Sequence, residues 1–259
     1  MGSALLRGWF EQGIQPSKIT VVEPFKETAF NVAKKFNVNV ISNPNVILSS
    51  KSSRTIVFAI KPQSMDKIIP DYSRLVDDNT VFLSIAAGKN VEYFKNSLGA
   101  QAAIVRAMPN TPAAVGRGIT VTFANSNTSE IQKNKCSKFL QAVGTVVWIK
   151  NEGLMDAVTA LSGSGPAYVF ALTECMAEAG VNAGLPQELA HQLARETVSG
   201  AGELLNQSSE SASELRKNVT SPGGTTAEAL EILLAKGGLK ELLIKAVAAA
   251  KRKSRELAK

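Results

Sequence analysis

The stretch Thr55-Ile-Val-Phe-Ala-Ile-Lys-Pro-Gln63 is apolar and rich in β-branched residues as far as residue 60, then stops at a lysine and a proline. Such a run with an X-Pro exit reads as a β-strand. Comparable runs recur at residues 19–22, 81–85, 104–107, 119–123 and 146–149, with periodic helical segments between them. Strands alternating with helices imply a parallel sheet covered on both faces, a doubly wound α/β domain. Ligands of open α/β sheets bind at the carboxyl edge, so the loops after 55–60 and 104–107 are candidate binding loops. The first supplies Ala59, Lys61 and Pro62. The second supplies Met108, Asn110 and Thr111, the last two with side chains able to hydrogen-bond a coenzyme amide or ribose.

After Lys150 the pattern changes. From Glu152 onward the chain is Ala- and Leu-rich with helical period, punctuated at Gly163/Gly165, Gly184-Leu-Pro186, residues 208–213 and residues 222–224. The expected organisation is a dinucleotide-binding domain over residues 1–150 and an all-α domain over residues 151–259. Ser211 and Glu214 have the spacing of a capping box. The last helix sets Leu239, Leu242, Leu243, Ala246, Val247 and Ala250 on one face, more apolar surface than so small a domain can bury alone, which points to a second subunit.

Charge divides the same way. Residues 1–150 hold 18 Lys and Arg against 9 Asp and Glu, and residues 151–259 hold 11 against 13, within a net charge of +7. The basic half is the one expected to meet an anion. Its cations are scattered singly, without a basic run or interleaved aromatics, so a dinucleotide fits better than nucleic acid. Cys136 and Cys175 have neither zinc nor redox spacing, and no metal site is expected. With no apolar run long enough to span a bilayer and no signal-peptide core, the expected location is the cytoplasm. The cluster Lys251-Arg-Lys-Ser-Arg255 ends the last helix, where cations complement the dipole.

Two further segments carry chemistry. In Asn218-Val-Thr-Ser-Pro-Gly-Gly-Thr-Thr-Ala-Glu-Ala-Leu230, Pro222 restricts the turn, Gly223 and Gly224 free it, and Thr225 with Glu228 reads as a capping box opening a helix. Backbone N–H groups of such a turn collect a carboxylate or phosphate. In Leu161-Ser-Gly-Ser-Gly-Pro-Ala-Tyr-Val-Phe170, Pro166 suits a helix start.

These two segments, with Ala59-Ile-Lys-Pro-Gln63 and Arg106-Ala-Met-Pro-Asn-Thr-Pro112, closely resemble the ordered signature set of pyrroline-5-carboxylate reductases, and the resemblance runs from Met1 to about Leu257. It implies NAD(P)H-dependent reduction of 1-pyrroline-5-carboxylate to L-proline, the last step of proline biosynthesis. It implies that Lys61-Pro62 lies near the nicotinamide. The substrate carboxylate is expected on the backbone of Ser221, Gly223 and Gly224, beside Thr225. The Thr226 hydroxyl is expected on the ring nitrogen. A homodimer at least, and a higher homo-oligomer beyond it, is implied for the helical domain.

By the same resemblance Met1 and Gly2 match the family where the glycine fingerprint of the dinucleotide fold ends, Gly2 standing at the third glycine. The opening strand, central in such a sheet, is then absent, and some 8–15 residues are expected upstream of Met1. Glu23 ends the strand at 19–22 and lies 21 residues after Gly2, close to the spacing of an acid that accepts ribose hydroxyls, so NADH is favoured over NADPH. Lys26, close by, tolerates a 2′-phosphate and tempers that preference.

His191, the single histidine, has no partner for a hydrolytic triad and reads as structural. A two-domain reductase of the hydroxyacid type needs a lysine early in the helical domain, and residues 151–194 contain none. The remaining alternatives are a reductase of other imines and an oligomerising module without coenzyme. NADH binding discriminates the last.

Overall fold

The computed structural model describes residues 1–47 and 53–257. All six expected strands form, within two residues at each end, together with a seventh. β1 (Thr20–Val22) pairs in parallel with the unexpected β2 (Asn39–Ile41). β3 (Arg54–Phe58), β4 (Thr80–Ser84), β5 (Ala103–Met108), β6 (Gly118–Ala124) and β7 (Gly144–Trp148) form a five-stranded sheet in that order. Among the described residues no strand of one sheet pairs with a strand of the other. β1 and β3 each end their sheet with an edge that no described strand pairs.

The expectation of a wholly parallel sheet needs correcting. β3, β4 and β5 are parallel, but β6 is antiparallel to β5, and β7 runs parallel to β6. Nine residues separate β5 from β6, mostly taken up by a 3₁₀ turn at Thr111–Val115. A parallel crossover takes a dozen or more, so the strand must turn back.

Strand alternation sends Val81, Leu83, Ala103 and Val105 to one face, where Leu5 of α1 (Gly2–Glu11) and Cys136 and Leu140 of α5 (Glu130–Gln141) cover them. Phe82 and Ile104 point to the other face, onto Met65 of α3 (Met65–Ile68) and Phe94 of α4 (Val91–Leu98), with Ile69, Tyr72 and Leu75 between. α2 (Lys26–Phe36) joins β1 to β2. α1 and α5 approach closely because Gly8 has no side chain: a Cβ there would lie 2.3 Å from the Ala142 carbonyl oxygen. α5 opens on a complete capping box, Ser129 with Gln132.

Two compact units result, Met1–Gly163 with Lys251–Lys259, and Ser164–Ala250. This division differs from the expected one at residue 150. Glu152 forms an ion pair with Arg106 of β5, and Ser254 hydrogen-bonds Asp156 of α6 (Met155–Val158), which ties both 152–163 and the end of the chain to the first unit.

The second unit comprises α7 (Gly165–Asn182), α8 (Gln187–Gln207), α9 (Ala212–Asn218), α10 (Thr225–Leu233) and most of α11 (Leu239–Leu257). α7 and α8 form a hairpin turning at Gly184 with φ +99°. Small residues let them approach: a Cβ on Gly180 would lie 3.1 Å from that of Ala190. The capping box of Ser211 and Glu214 forms as expected. Few residues of this unit are buried, whereas Phe170 is 62%, Ile232 77% and Leu242 59% exposed. That much uncovered apolar surface marks a protein–protein interface.

Candidate active site

In the first unit Ala59, Lys61, Pro62, Met108, Asn110 and Thr111 stand at the carboxyl ends of β3 and β5. Met1 is the N-cap of α1, and its carbonyl accepts from Ala4 and Leu5, so Gly2 and Ser3 donate to no described group. The first turn holds no acid. A Cβ on Gly2 would lie 3.5 Å from that of Ala59, which places the start of α1 against the exit of β3. Lys61 is exposed and N-caps the 3₁₀ turn Pro62–Ser64. α1 also packs on the turn Thr111–Val115. An uncapped helix start with free N–H groups, free of acids and beside two loops of the carboxyl edge, fits a dinucleotide pyrophosphate.

Asn110 is only half available. Its Oδ1 accepts the Ile119 N–H at 3.0 Å and holds the turn between β5 and β6, which leaves its amide N–H groups for a ligand. Thr111 is exposed. Met108 packs instead on the second signature segment: a Cβ on Gly163 would lie 2.5 Å from Met108 Cε. Residues Thr159–Gly163 form a π-helical turn running almost directly into α7, and Pro166 stands in the first turn of that helix, as its position in the sequence led us to expect.

Glu23 stands at the end of β1, where its N–H donates to the Ile41 carbonyl at 2.9 Å. Its Oε1 accepts the Phe25 N–H at 3.0 Å, fixing the carboxylate while Oε2 has no partner among the described residues. That geometry suits a pair of ribose hydroxyls.

In the second unit, residues 221–226 form the expected turn with a different cap. Gly224, not Thr225, is the N-cap of α10, and no side chain caps it, so the expected box of Thr225 with Glu228 is absent. Only Gly223 takes a positive φ, +66°, and Gly224 is extended. The turn closes by Gly224 N–H to the Ser221 carbonyl at 3.0 Å. The Ala227 and Glu228 N–H groups return to the Gly224 carbonyl, whereas those of Thr225 and Thr226 donate to nothing described. Ser221 and Thr225 are exposed and Thr226 is half-buried. An N-terminus left open by the lack of a cap offers its N–H donors to a carboxylate.

The family model described as pyrroline-5-carboxylate reductase dimerisation matches residues 152–257, and one described as NADP oxidoreductase, coenzyme F420-dependent, matches residues 1–88. The chain is 39% identical to a pyrroline-5-carboxylate reductase of Synechocystis sp., over 96% of this chain and 91% of that one. The chain belongs to the pyrroline-5-carboxylate reductase family. A second such reductase, from Pseudomonas aeruginosa, is 35% identical over 100% of this chain and 93% of its own length. The solved pyrroline-5-carboxylate reductase of Coxiella burnetii superposes with a TM-score of 0.92 at 34% identity, covering 100% of this chain and 95% of that one. The Plasmodium falciparum pyrroline carboxylate reductase, solved with NADP bound, gives 0.82 at 31% identity, covering 100% and 95%.

In this reductase chain His191 stands beside Glu174, Glu178 and Gln187 of the α7–α8 hairpin. No group of acids, cysteines and histidines able to hold a metal occurs among the described residues, and no described helix is long and apolar enough to cross a membrane. The ion pair of β5 was not foreseen from the sequence, although Arg106 stands in one of the quoted motifs. Arg106 is buried in β5 and pairs with Glu152 at 2.7 Å. A charged residue in an otherwise apolar strand is the signal that pointed to it.

Proposed function

We infer that this chain reduces 1-pyrroline-5-carboxylate to L-proline with a nicotinamide coenzyme. The observation that carries the site assignment is the open start of α10, where the Thr225 and Thr226 N–H groups lack acceptors and the Thr226 side chain stands beside them. The substrate carries a carboxylate next to its ring, so one turn must hold an anion and reach a ring atom. Backbone N–H groups of 221–226 hold the carboxylate, and the Thr226 hydroxyl hydrogen-bonds the ring nitrogen, orienting the imine carbon. Gly2, Ala59, Lys61, Pro62, Met108, Asn110 and Thr111 hold the coenzyme, Gly2 through its N–H and Asn110 through its amide. When bound, the reduced coenzyme supplies the hydride. Oxidation of NADH or NADPH dependent on added pyrroline-5-carboxylate tests the reading, and its absence with both coenzymes refutes it.

NADH is the preferred coenzyme in this proposal. A carboxylate already held by the Phe25 N–H repels a 2′-phosphate and accepts two hydroxyls in its place. Glu23→Ser is expected to narrow the ratio of kcat/KM values by about tenfold, equivalent to ~1.4 kcal/mol. Equal kcat/KM for NADH and NADPH in the unsubstituted enzyme removes the basis of the assignment.

The helical unit is a dimerisation domain, and we place the turn 221–226 of one subunit at the site of the other in an obligate dimer. The exposed apolar residues of α7, α10 and α11 support this. Light scattering at assay concentration is expected to give twice the chain mass or a multiple of it; an active monomer excludes the proposal.

A further inference from the structure

Residues 152–163 lead the chain out of the sheet-containing unit, and both ends of this segment rest on one face of β5. Glu152 Oε1 accepts Arg106 Nη1 at 2.7 Å and also the Val91 N–H that opens α4, at 2.8 Å. The arginine side chain is only 10% exposed. At the other end, Gly163 lies against Met108, two residues along β5 from Arg106 and therefore on the same face. Between these points Asp156 accepts the Ser254 hydroxyl on Oδ1 at 2.7 Å, and Arg255 Nε lies 3.7 Å from Oδ2. Ser254 and Arg255 belong to Lys251–Lys259, the stretch in which α11 rejoins the first unit.

The chain passes between units twice, at 163/164 and at 250/251. Both crossings are thus attached to one short segment fixed on the strand that ends in Met108. Each carboxylate oxygen of Asp156 faces a different residue of α11, which resists rotation of that helix as well as sliding. Arg255 is 59% exposed, so its ion pair adds little stability. Ser254 itself is buried, so its hydrogen bond to Asp156 is the part of the contact that holds the end of α11 in place. The segment also ends in a π-helical turn, a form frequent at functional sites.

We propose that Asp156 is a positioning residue for the reduction: by holding Ser254 and Arg255 on the segment 152–163, which Glu152 anchors to Arg106, it fixes both chain crossings to the coenzyme-binding strand. The proposal rests on the reductase reading, which the unsubstituted enzyme tests separately. Asp156→Asn, Ser254→Ala and the double variant are compared in the full chain by thermal melt, coenzyme binding, kcat and amide hydrogen exchange. Glu152→Gln is avoided because it strands a buried arginine. Each variant is expected to stay folded and bind coenzyme within about twofold of the parent. The kcat per folded protein falls about tenfold or more, since small misplacements of reacting groups cost up to about a hundredfold. Exchange across 152–163 quickens, and the double variant is no worse than the poorer single one, because both remove the same contact. Unchanged kcat per folded protein, additive losses in the double variant, or unaltered exchange at 152–163 overturns the proposal.

Discussion

Thr226→Ala is expected to lower kcat/KM for pyrroline-5-carboxylate by about tenfold to a thousandfold while leaving coenzyme affinity nearly unchanged. The range runs from one good hydrogen bond to assistance in protonating the nitrogen. Thr226 is half-buried in the first turn of α10, and neither its N–H nor its hydroxyl has a described partner, so the side chain is free to meet a ligand. Thr226→Ser keeps the hydroxyl and is expected to recover much of the loss. Thr225 is a control. Because Gly224 occupies the cap position, Thr225→Ala removes no cap and is expected to change stability by less than about 0.5 kcal/mol. Steady-state kinetics beside thermal melts separate the two residues, and full imine turnover in Thr226→Ala sinks the assignment.

Gly144→Ala is expected to lower the free energy of unfolding by on the order of 2–6 kcal/mol. Gly144 starts β7 opposite Gly118 of β6, with φ +140°. A Cβ there would lie 1.9 Å from the Gly118 carbonyl oxygen, and one on Gly118 would lie 2.8 Å from that of Val143. The substitution thus combines a backbone conformation unsuited to L-residues, costing ~1–3 kcal/mol, with overpacking of backbone atoms, costing a further ~1–3 kcal/mol. Against a total of ~5–15 kcal/mol the loss is severe. Gly13→Ala isolates the conformational part, because φ is +84° and the surrounding space is open. Urea unfolding of both variants decides the point: a Gly144→Ala loss no larger than that of Gly13→Ala means that the two strands part without cost.

Strands were legible where β-branched residues run unbroken, as at 55–60 and 104–107. β2 was missed because three residues, the first of them an asparagine, carry too little pattern to stand out. The reversal of β6 was written in a length, the short span between Met108 and Gly118, and residue type alone does not weigh length. Ser211 and Glu214 formed their box, whereas Thr225 and Glu228 did not, though both pairs have the same spacing. The difference lies one residue earlier, where Gly224 is already extended and takes the cap position itself. The contact between Gly163 and Met108 joins residues 55 apart and has no local signature.

The two free cysteines divide between the units and give the protein two independent reporters. Cys136 lies in the core between α5 and the sheet, and burial pushes its thiol up to about 12. At pH 8 roughly one such thiol in ten thousand is in the reactive form, so alkylation of Cys136 clocks the opening of α5 from the sheet. Cys175 is exposed on α7 of a single chain. Its alkylation slows with rising protein concentration if association covers that helix. One labelling time course, read by mass on two peptides, thus follows local unfolding and subunit assembly separately, without any introduced probe.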